Sequence, residues 1–380
     1  MIKNDIPKVS VIMTVLNSEK YLKESINSVL KQSLKDLELV IIDGKSSDGT
    51  LSIIDDYMKN DKRIKLYYQD GKGIGNAKNC GIKNSIGEFI TFLDSDDLYA
   101  DDTILEKLYN AAKEHDVNVC GGLRSILHEN GRVTEHSLHR AFLVGFPNGR
   151  LFNYKYTQYD YHFHSYIYDR KMVMDSNALF NETTVYDDTH FTIRVMLAAE
   201  LFYVIPVEMY RYRLHGSYSW SLEKCREAMM SLIDQLKFTS QNNLDLCHYY
   251  TVQRINYEYG PLFESYLKEG HYDFLNLYIE AQRNINSSLI DIALKRHINT
   301  CLIDGMNFPN GELFYTYISG EKKIYILTYL YKLCNNFNIS YHQNDYPFTV
   351  EDVYHSITFR TGNVVLWLPK KIAKLLKIKK

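Results

Sequence analysis

No uninterrupted apolar run in this 380-residue sequence approaches the roughly 18 residues that a membrane-spanning helix needs, which excludes an integral membrane protein. Clustered cysteine is missing too. Cys80, Cys120, Cys225, Cys247, Cys301 and Cys334 stand far apart, with no C-x-x-C pair and no secretory leader, so thiolate-metal and disulfide frameworks are disfavoured. A reducing cytoplasm is the expected compartment, and there the Asn-x-Ser/Thr triplets at Asn181, Asn286 and Asn338 carry no weight. Excess positive charge is also lacking: 44 basic against 46 acidic residues give a net charge of −2, without the broad basic surface that phosphate-backbone binding requires. Nucleic acid is therefore not the expected partner. No internal repeat or low-complexity tract occurs, and 45% hydrophobic with 24% charged residues describes an ordinary globular chain.

What is present first is an alternation of strand and helix patterns. Val9–Thr14 is β-rich and precedes helical spacing at Leu22, Ile26, Val29 and Leu30. Leu37–Ile42 precedes a second helical pattern over Leu51–Met58, and Ile64–Tyr68 a third over Gly75–Ser85. Phe89–Leu93 is a fourth strand, followed by a helix over Thr103–His115. Such alternation predicts a mostly parallel sheet flanked by helices. From about Glu223 the pattern changes to long tyrosine-rich helical stretches, Glu223–Ser240, Tyr249–Leu267 and Glu321–Asn335. The expected organisation is an α/β domain over 1–221, a helical domain over 222–363 and a tail over 364–380. The 32 tyrosines, scattered through both halves, are read as core packing. The tail joins Val364, Leu366, Trp367, Leu368, Ile372, Leu375, Leu376 and Ile378 to six lysines, the pattern of a basic amphipathic helix. Such a helix either lies on an anionic membrane surface or docks on the protein's own core.

In open α/β sheets ligands bind outside the carboxyl ends of the strands. Here those ends carry Thr14 and Asn17, Asp43, Asp70, and Asp94 with Asp96. An apolar strand ending in Asp94-Ser-Asp96-Asp97 concentrates hard oxygen ligands that would repel one another without a divalent cation, and such a cation leaves positions for nucleotide phosphates. A solvated acidic turn leading into the next helix is the alternative, because Asp101, Asp102 and Thr103 follow. The run Gly71-x-Gly73 lacks the glycine at 76 that a dinucleotide fingerprint demands, since Asn76 stands there.

Taken in order, the segments over residues 7–221 resemble the family 2 glycosyltransferases with the GT-A fold. Val9-Ser-Val-Ile-Met-Thr-Val-Leu-Asn17 is similar to the family's opening strand, Asn17-Ser-Glu19-Lys-Tyr21-Leu22 and Ser28-Val-Leu-Lys-Gln32-Ser to its first helix, and Asp94-Ser-Asp96-Asp97 to its D-x-D signature. The resemblance implies a GT-A nucleotide-diphospho-sugar transferase fold with an additional, mostly α-helical C-terminal domain. It also implies roles. The backbone of Thr14, Val15 and Leu16, the side chain of Asn17, and Asp43 would hold a nucleobase, with the Asp43 carboxylate accepting from uracil N3–H. The chain departs from the family at Gly44, where a second aspartate is common, and a turn-forming Asp43 is the alternative. Asp70 would approach the uridine and Lys78 the diphosphate. Asp96 would bind Mn²⁺ or Mg²⁺, with Asp94 and Ser95 beside it.

Asn181-Glu182-Thr-Thr-Val-Tyr-Asp187-Asp188 resembles the family's acidic segment, in which Asp188 would be the general base and Asp187 takes the place usually held by glutamate. Tyr210-Arg211-Tyr-Arg213-Leu-His215-Gly-Ser217-Tyr-Ser219 is similar to the family's closing motif. It offers His215 as a further metal contact and Arg211 or Arg213 as phosphate ligands, while His162 and His164 have no motif around them. The function expected is inverting transfer from a nucleotide sugar, a UDP-sugar by resemblance, to a glycan or lipid-linked saccharide, at the cytoplasmic face of the membrane. Oligomerisation stays open. The rivals are a non-catalytic nucleotide-sugar-binding scaffold and a nucleotidyltransferase. The second wants a glycine-rich basic phosphate loop, which Thr14-Val-Leu-Asn17 does not supply.

Overall fold

A computed structural model describes residues 6–135, 143, 146–214, 220–255, 259, 262, 265, 266, 269, 271 and 273–293. His215, the closing serines and the basic tail of 364–380 lie outside the described residues. The chain divides into two compact units, the first ending at Ser219 and the second beginning at Trp220.

Among the described residues, the first unit holds a ten-stranded mixed sheet. Its strands are β1 (Val9–Val15), β2 (Leu37–Asp43), β3 (Ile64–Tyr68), β4 (Phe89–Phe92), β5 (Leu98–Tyr99), β6 (Val119–Leu127), β7 (Val133–Glu135), β8 (Arg150–Asn153), β9 (Tyr166–Asp169) and β10 (Leu201–Arg213). The order is β3-β2-β1-β4-β9-β6-β10-β5, with β7 paired to β6 and β8 to β10. Strands β3, β2, β1 and β4 are parallel, β9 is antiparallel to both its neighbours, and β6 is again parallel to β10. The mostly parallel expectation therefore holds for the first half and becomes a mixed sheet beyond β4.

The helices of this unit are α1 (Leu22–Leu30), α2 (Thr50–Asn60), α3 (Ile74–Asn84), α4 (Ile104–Glu114), α5 (Tyr154–Thr157), α6 (Arg170–Asp175) and α7 (Asp188–Ala199). They cover both sheet faces, which is why β1 and β2 read as nearly continuous apolar runs. Side chains alternate across a strand, so Val9, Val11, Met13 and Val15 enter one core with Leu22, Ile26, Leu39, Ile41 and Leu105. Ile12 points to the other core, among Phe92, Tyr168, Phe180 and Phe191. Buried Gln32 at the end of α1 ties the layers together: its amide nitrogen donates to the Asp101 carbonyl at 2.8 Å, and its Oε1 accepts from Leu105 N at 3.1 Å.

Register places the loops that matter. Val15 lies opposite Asp43 and Ile12 opposite Phe92, so β1, β2 and β4 finish at one rim. Because β9 runs the other way, the residues just before it reach the same rim. Tyr210 of β10 lies opposite Arg124 of β6.

In the second unit, α8 (Leu222–Gln241) begins at Ser221, whose hydroxyl accepts from Lys224 N at 3.3 Å. It packs with α9 (Asp245–Gln253) and α10 (Asp273–Arg283). Buried His248 accepts from Asn286 N through Nε2 at 2.8 Å, while its Nδ1 meets Thr239 Oγ1 at 2.8 Å. Of the helical stretches expected here, Glu321–Asn335 lies outside the described residues.

Candidate active site

The loops after β1 and β2 are latched to each other. Gly44 N donates to the Val15 carbonyl at 2.9 Å, and Asn17, in the left-handed region at φ 51°, accepts from Ser47 N at 2.8 Å. Asp43 is fully buried, and its carboxylate turns the loop by accepting from Lys45 N at 2.8 Å and Ser46 N at 3.1 Å. The turn-forming role weighed from sequence is thus present. Thr14 is half-buried and Leu16 projects into solvent at the lip. Asp70 is exposed, in a loop rounded by Gln69 donating to the Gly73 carbonyl and Gly71 N donating to Asn76.

The Asp94–Asp97 loop divides its carboxylates between jobs. Asp97 is buried and gripped: Tyr210 Oη donates to its Oδ2 at 2.6 Å and Arg213 N to its Oδ1 at 2.6 Å. The Tyr210 hydroxyl also accepts from Asp94 N at 3.3 Å. Arg213 closes the clamp from outside, with Nε donating to the Asp96 carbonyl at 2.8 Å and its terminal nitrogen pairing with Glu24 at 2.6 Å. Ser95 is held to the first loop, its hydroxyl 2.7 Å from that of Ser18 and its carbonyl accepting from Ser25. Asp94 and Asp96 remain at the rim, half-buried. Burial, with Asp94 and Asp96 adding like charge, pushes the Asp97 carboxyl up to about 8. Burial likewise raises Asp94, against the pull of Lys78.

Lys78, expected to face a diphosphate, has a protein partner. From α3 its ammonium reaches Asp187 Oδ2 at 2.9 Å, and both side chains are at most a tenth exposed. It lies over the rings of Phe163 at 4.4 Å and Phe180 at 5.0 Å. Burial pulls the ammonium down, yet Asp187, Asp94 and Asp188 together hold it above the usual lysine range. The acidic segment is fastened to α3 by Asn79, which donates to the Phe180 carbonyl at 3.0 Å and accepts from Phe180 N at 2.9 Å. Gly75 permits the approach, since a Cβ there would stand 1.7 Å from the Asn181 carbonyl oxygen. Asp188 opens α7 beside this pair. Burial first, then the Asp187 and Asp160 carboxylates, push its carboxyl up to about 7 against the opposing Lys78.

Arg211 pairs with Glu208, Nε to Oε1 at 3.0 Å, and Glu208 in turn accepts from the Ser125 hydroxyl. Sequence reasoning missed Tyr210 as the clamp of the carboxylate loop and Arg124 as its neighbour. Arg124 lies in a segment without motif signal, and only its pairing across β6 and β10 brings it to the rim.

A buried cation thus joins a rim of strand-end carboxylates to a second acidic pair at a helix start. Residues 10–189 match the family model described as Glycosyl transferase family 2. The N-terminal domain belongs to glycosyl transferase family 2. This glycosyltransferase domain is 28% identical over 212 residues to the protein named Uncharacterized glycosyltransferase EpsJ of Bacillus subtilis (strain 168), covering 55% of this chain and 61% of that one. It is 41% identical over 93 residues to the GalNAc(5)-diNAcBac-PP-undecaprenol beta-1,3-glucosyltransferase of Campylobacter jejuni, covering 24% and 30%. The chain spans about three fifths of the length of the first curated relatives it matches. Among solved structures, S. aureus TarS 1-349 in complex with UDP-GlcNAc superposes with a TM-score of 0.60 at 22% identity, over 75% of this chain and 83% of that one. The shared architecture is the GT-A fold.

Proposed function

We propose that this protein is an inverting glycosyltransferase that moves a sugar from a nucleotide sugar to a hydroxyl of a glycan or lipid-linked saccharide, in the synthesis of a surface polysaccharide. The observation that carries the reading is the meeting of two carboxylate sets around one buried ammonium: Asp94 of the strand-end loop and Asp187 with Asp188 at the start of α7 all act on Lys78. Donor phosphates belong at the first set and the acceptor hydroxyl at the second. Asp188 takes the proton of that hydroxyl, which then attacks the anomeric carbon opposite the departing diphosphate, so one displacement inverts the centre. Lys78 serves by holding Asp187 and setting the charge around Asp188. The loops of Thr14–Asn17 and Asp43 would line the base end, with Asp70 after the neighbouring strand β3.

The residues present fit a divalent cation. Asp94 and Asp96 offer hard oxygens whose mutual repulsion a cation relieves, although the described residues contain no group of three His, Cys, Asp or Glu side chains that would hold one alone. Mg²⁺ and Mn²⁺ sites of this kind take one or two carboxylates and complete themselves with substrate phosphates. Asp96 would hold the ion, with His215 by resemblance, and its charge would make the diphosphate a better leaving group.

The uridine preference rests on the family resemblance and on the UDP-GlcNAc held by TarS. A lipid-linked acceptor is supported by the polyprenyl-diphosphate glycan named for the Campylobacter relative, and by the basic tail. No helix of the described residues is long and apolar enough to cross a membrane. Titration calorimetry of the full chain with UDP and GDP, each with Mn²⁺ and with EDTA, repeated on Asp96→Ala, tests the donor site. Metal-dependent UDP binding lost in the variant is expected, and absence of nucleotide binding by the folded wild type would overturn the reading. Deleting 364–380 is expected to weaken sedimentation with anionic liposomes; unchanged binding would reject the tail as an anchor.

A further inference from the structure

His164 has no sequence motif around it, and the fold gives it a position that packing alone does not explain. It sits in the short turn Phe163–Ser165 that leads into antiparallel β9, hence at the rim where β4 ends. Its ring lies 4.1 Å from the ring of Tyr210, whose hydroxyl binds both Asp97 and Asp94 N. The residue is 8% exposed, yet neither Nδ1 nor Nε2 has a hydrogen-bond partner. Arg124, also 8% exposed, stands close by on β6 with its guanidinium 4.4 Å over the Tyr212 ring. One terminal nitrogen of Arg124 reaches His162 Nε2 at 3.2 Å, while its Nε is unpartnered.

Two buried side chains with three unmet polar atoms, next to a loop whose Asp97 carboxylate is already held by Tyr210 and Arg213, mark a place where a ligand supplies the missing partners. We infer that His164 and Arg124 read the sugar of the donor, making hydrogen bonds to its ring hydroxyls or N-acyl group. The inference rests on the glycosyltransferase reading and deepens it. Position fits, because the sugar of a nucleotide sugar whose phosphates lie at Asp94 and Asp96 must extend toward Asp188, and both the Tyr210 ring and the field of Lys78 reach His164. Protonation fits as well. Burial, together with the Arg124 and Lys78 charges, drives the imidazole well below its usual range, so it is neutral and offers one donor and one acceptor. A sugar hydroxyl is the same combination in mirror image. Arg124 Nε adds a donor suited to a second hydroxyl or an amide carbonyl.

Such a reader discriminates strongly, because a sugar lacking the matched group leaves buried polar atoms unpaired. The test uses His164→Phe, which keeps an aromatic ring on Tyr210 and removes both nitrogens, and Arg124→Met alongside it. Affinities of the full chain with Mn²⁺ would be measured for UDP, GDP, UDP-GlcNAc, UDP-glucose, UDP-galactose and GDP-mannose. The expected result is a loss of about tenfold or more for the preferred nucleotide sugar, with the bare nucleotide bound as in wild type. If His164 only packs against Tyr210, His164→Phe will bind nucleotide sugar and nucleotide as wild type does, and the assignment falls. Equal losses for both also overturn it, since they place the residue at the nucleotide and not at the sugar. A wild type that binds none of the six probes would remove the donor site itself, an outcome distinct from the first two.

Discussion

Lys78 Nζ and Asp187 Oδ2 stand 2.9 Å apart, 109 residues apart in sequence, both nearly withdrawn from solvent. A pair this deep gains little over an apolar replacement, but removing one member leaves a buried charge without its partner, at about 3–5 kcal/mol. Lys78→Met and Asp187→Asn should each lower stability by that order in urea unfolding. The double variant should recover a substantial part of the loss. Simple addition of the two single losses would show that the pair is not energetically coupled.

The same pair should set the pH dependence of turnover. Asp188 must be ionised to act as base, and its carboxyl is pushed up to about 7, so kcat/KM should be low in acid and rise with pH through that value. Asp187→Asn removes a like charge and frees the ammonium, and both changes favour the ionised form; the limb should move to lower pH. Lys78→Met removes a cation that opposes the rise, so its limb should move to higher pH. Shifts in the same direction would exclude this pair as the tuning element. Asp188→Asn should abolish transfer at every pH, with a loss on the order of 10² to 10⁴.

Much of this was legible from sequence wherever function and local pattern coincide. Strand β3 was expected over the residues it occupies, and α3 was expected within one residue at each end, because apolar runs separated by glycine and aspartate turns encode them locally. The rim itself followed from the rule that ligands meet strand carboxyl ends. Illegible were contacts made by long-range pairing. Nothing in Ala77-Lys78-Asn79 announces Asp187, and nothing around Arg124 announces Tyr210; register across β6 and β10 alone makes them neighbours. Strands β5, β7, β8 and β9 were missed because each has only two to four residues, too few to show a period-2 pattern.

Asp96 and Tyr210 should separate when probed side by side. Asp96 is half-buried at the rim, so Asp96→Asn should cost less stability than a change to the buried clamp while removing metal-dependent nucleotide binding. Tyr210→Phe keeps the buried ring but strips the donor from Asp97 Oδ2 and the acceptor from Asp94 N. Leaving such atoms unmet costs about 1–3 kcal/mol, so thermal unfolding should register this variant, and nucleotide affinity should fall only as the loop loosens. A large stability loss in Asp96→Asn would reassign that residue to the scaffold.

Gly75 tests whether the acidic segment must be docked on α3 for catalysis. Inside a helix, alanine is ordinarily better than glycine by about 0.5–1 kcal/mol, and no left-handed φ at this position opposes the change. The opposing term is steric: the new Cβ would meet the Asn181 carbonyl oxygen at 1.7 Å and its carbon at 2.7 Å, backbone atoms that no rotamer can move aside. That contact must win, and the softer side of it is the segment 181–187, which should lift away from α3 and carry Asp188 with it. Displacement of a base by about 1 Å can cost on the order of a hundredfold in rate. Gly75→Ala should therefore lose activity far out of proportion to its loss of thermal stability, while UDP affinity, proposed to reside in the Asp43 and Asp94 loops, should stay close to wild type. Wild-type turnover in Gly75→Ala would mean that the docked segment is not what positions the base.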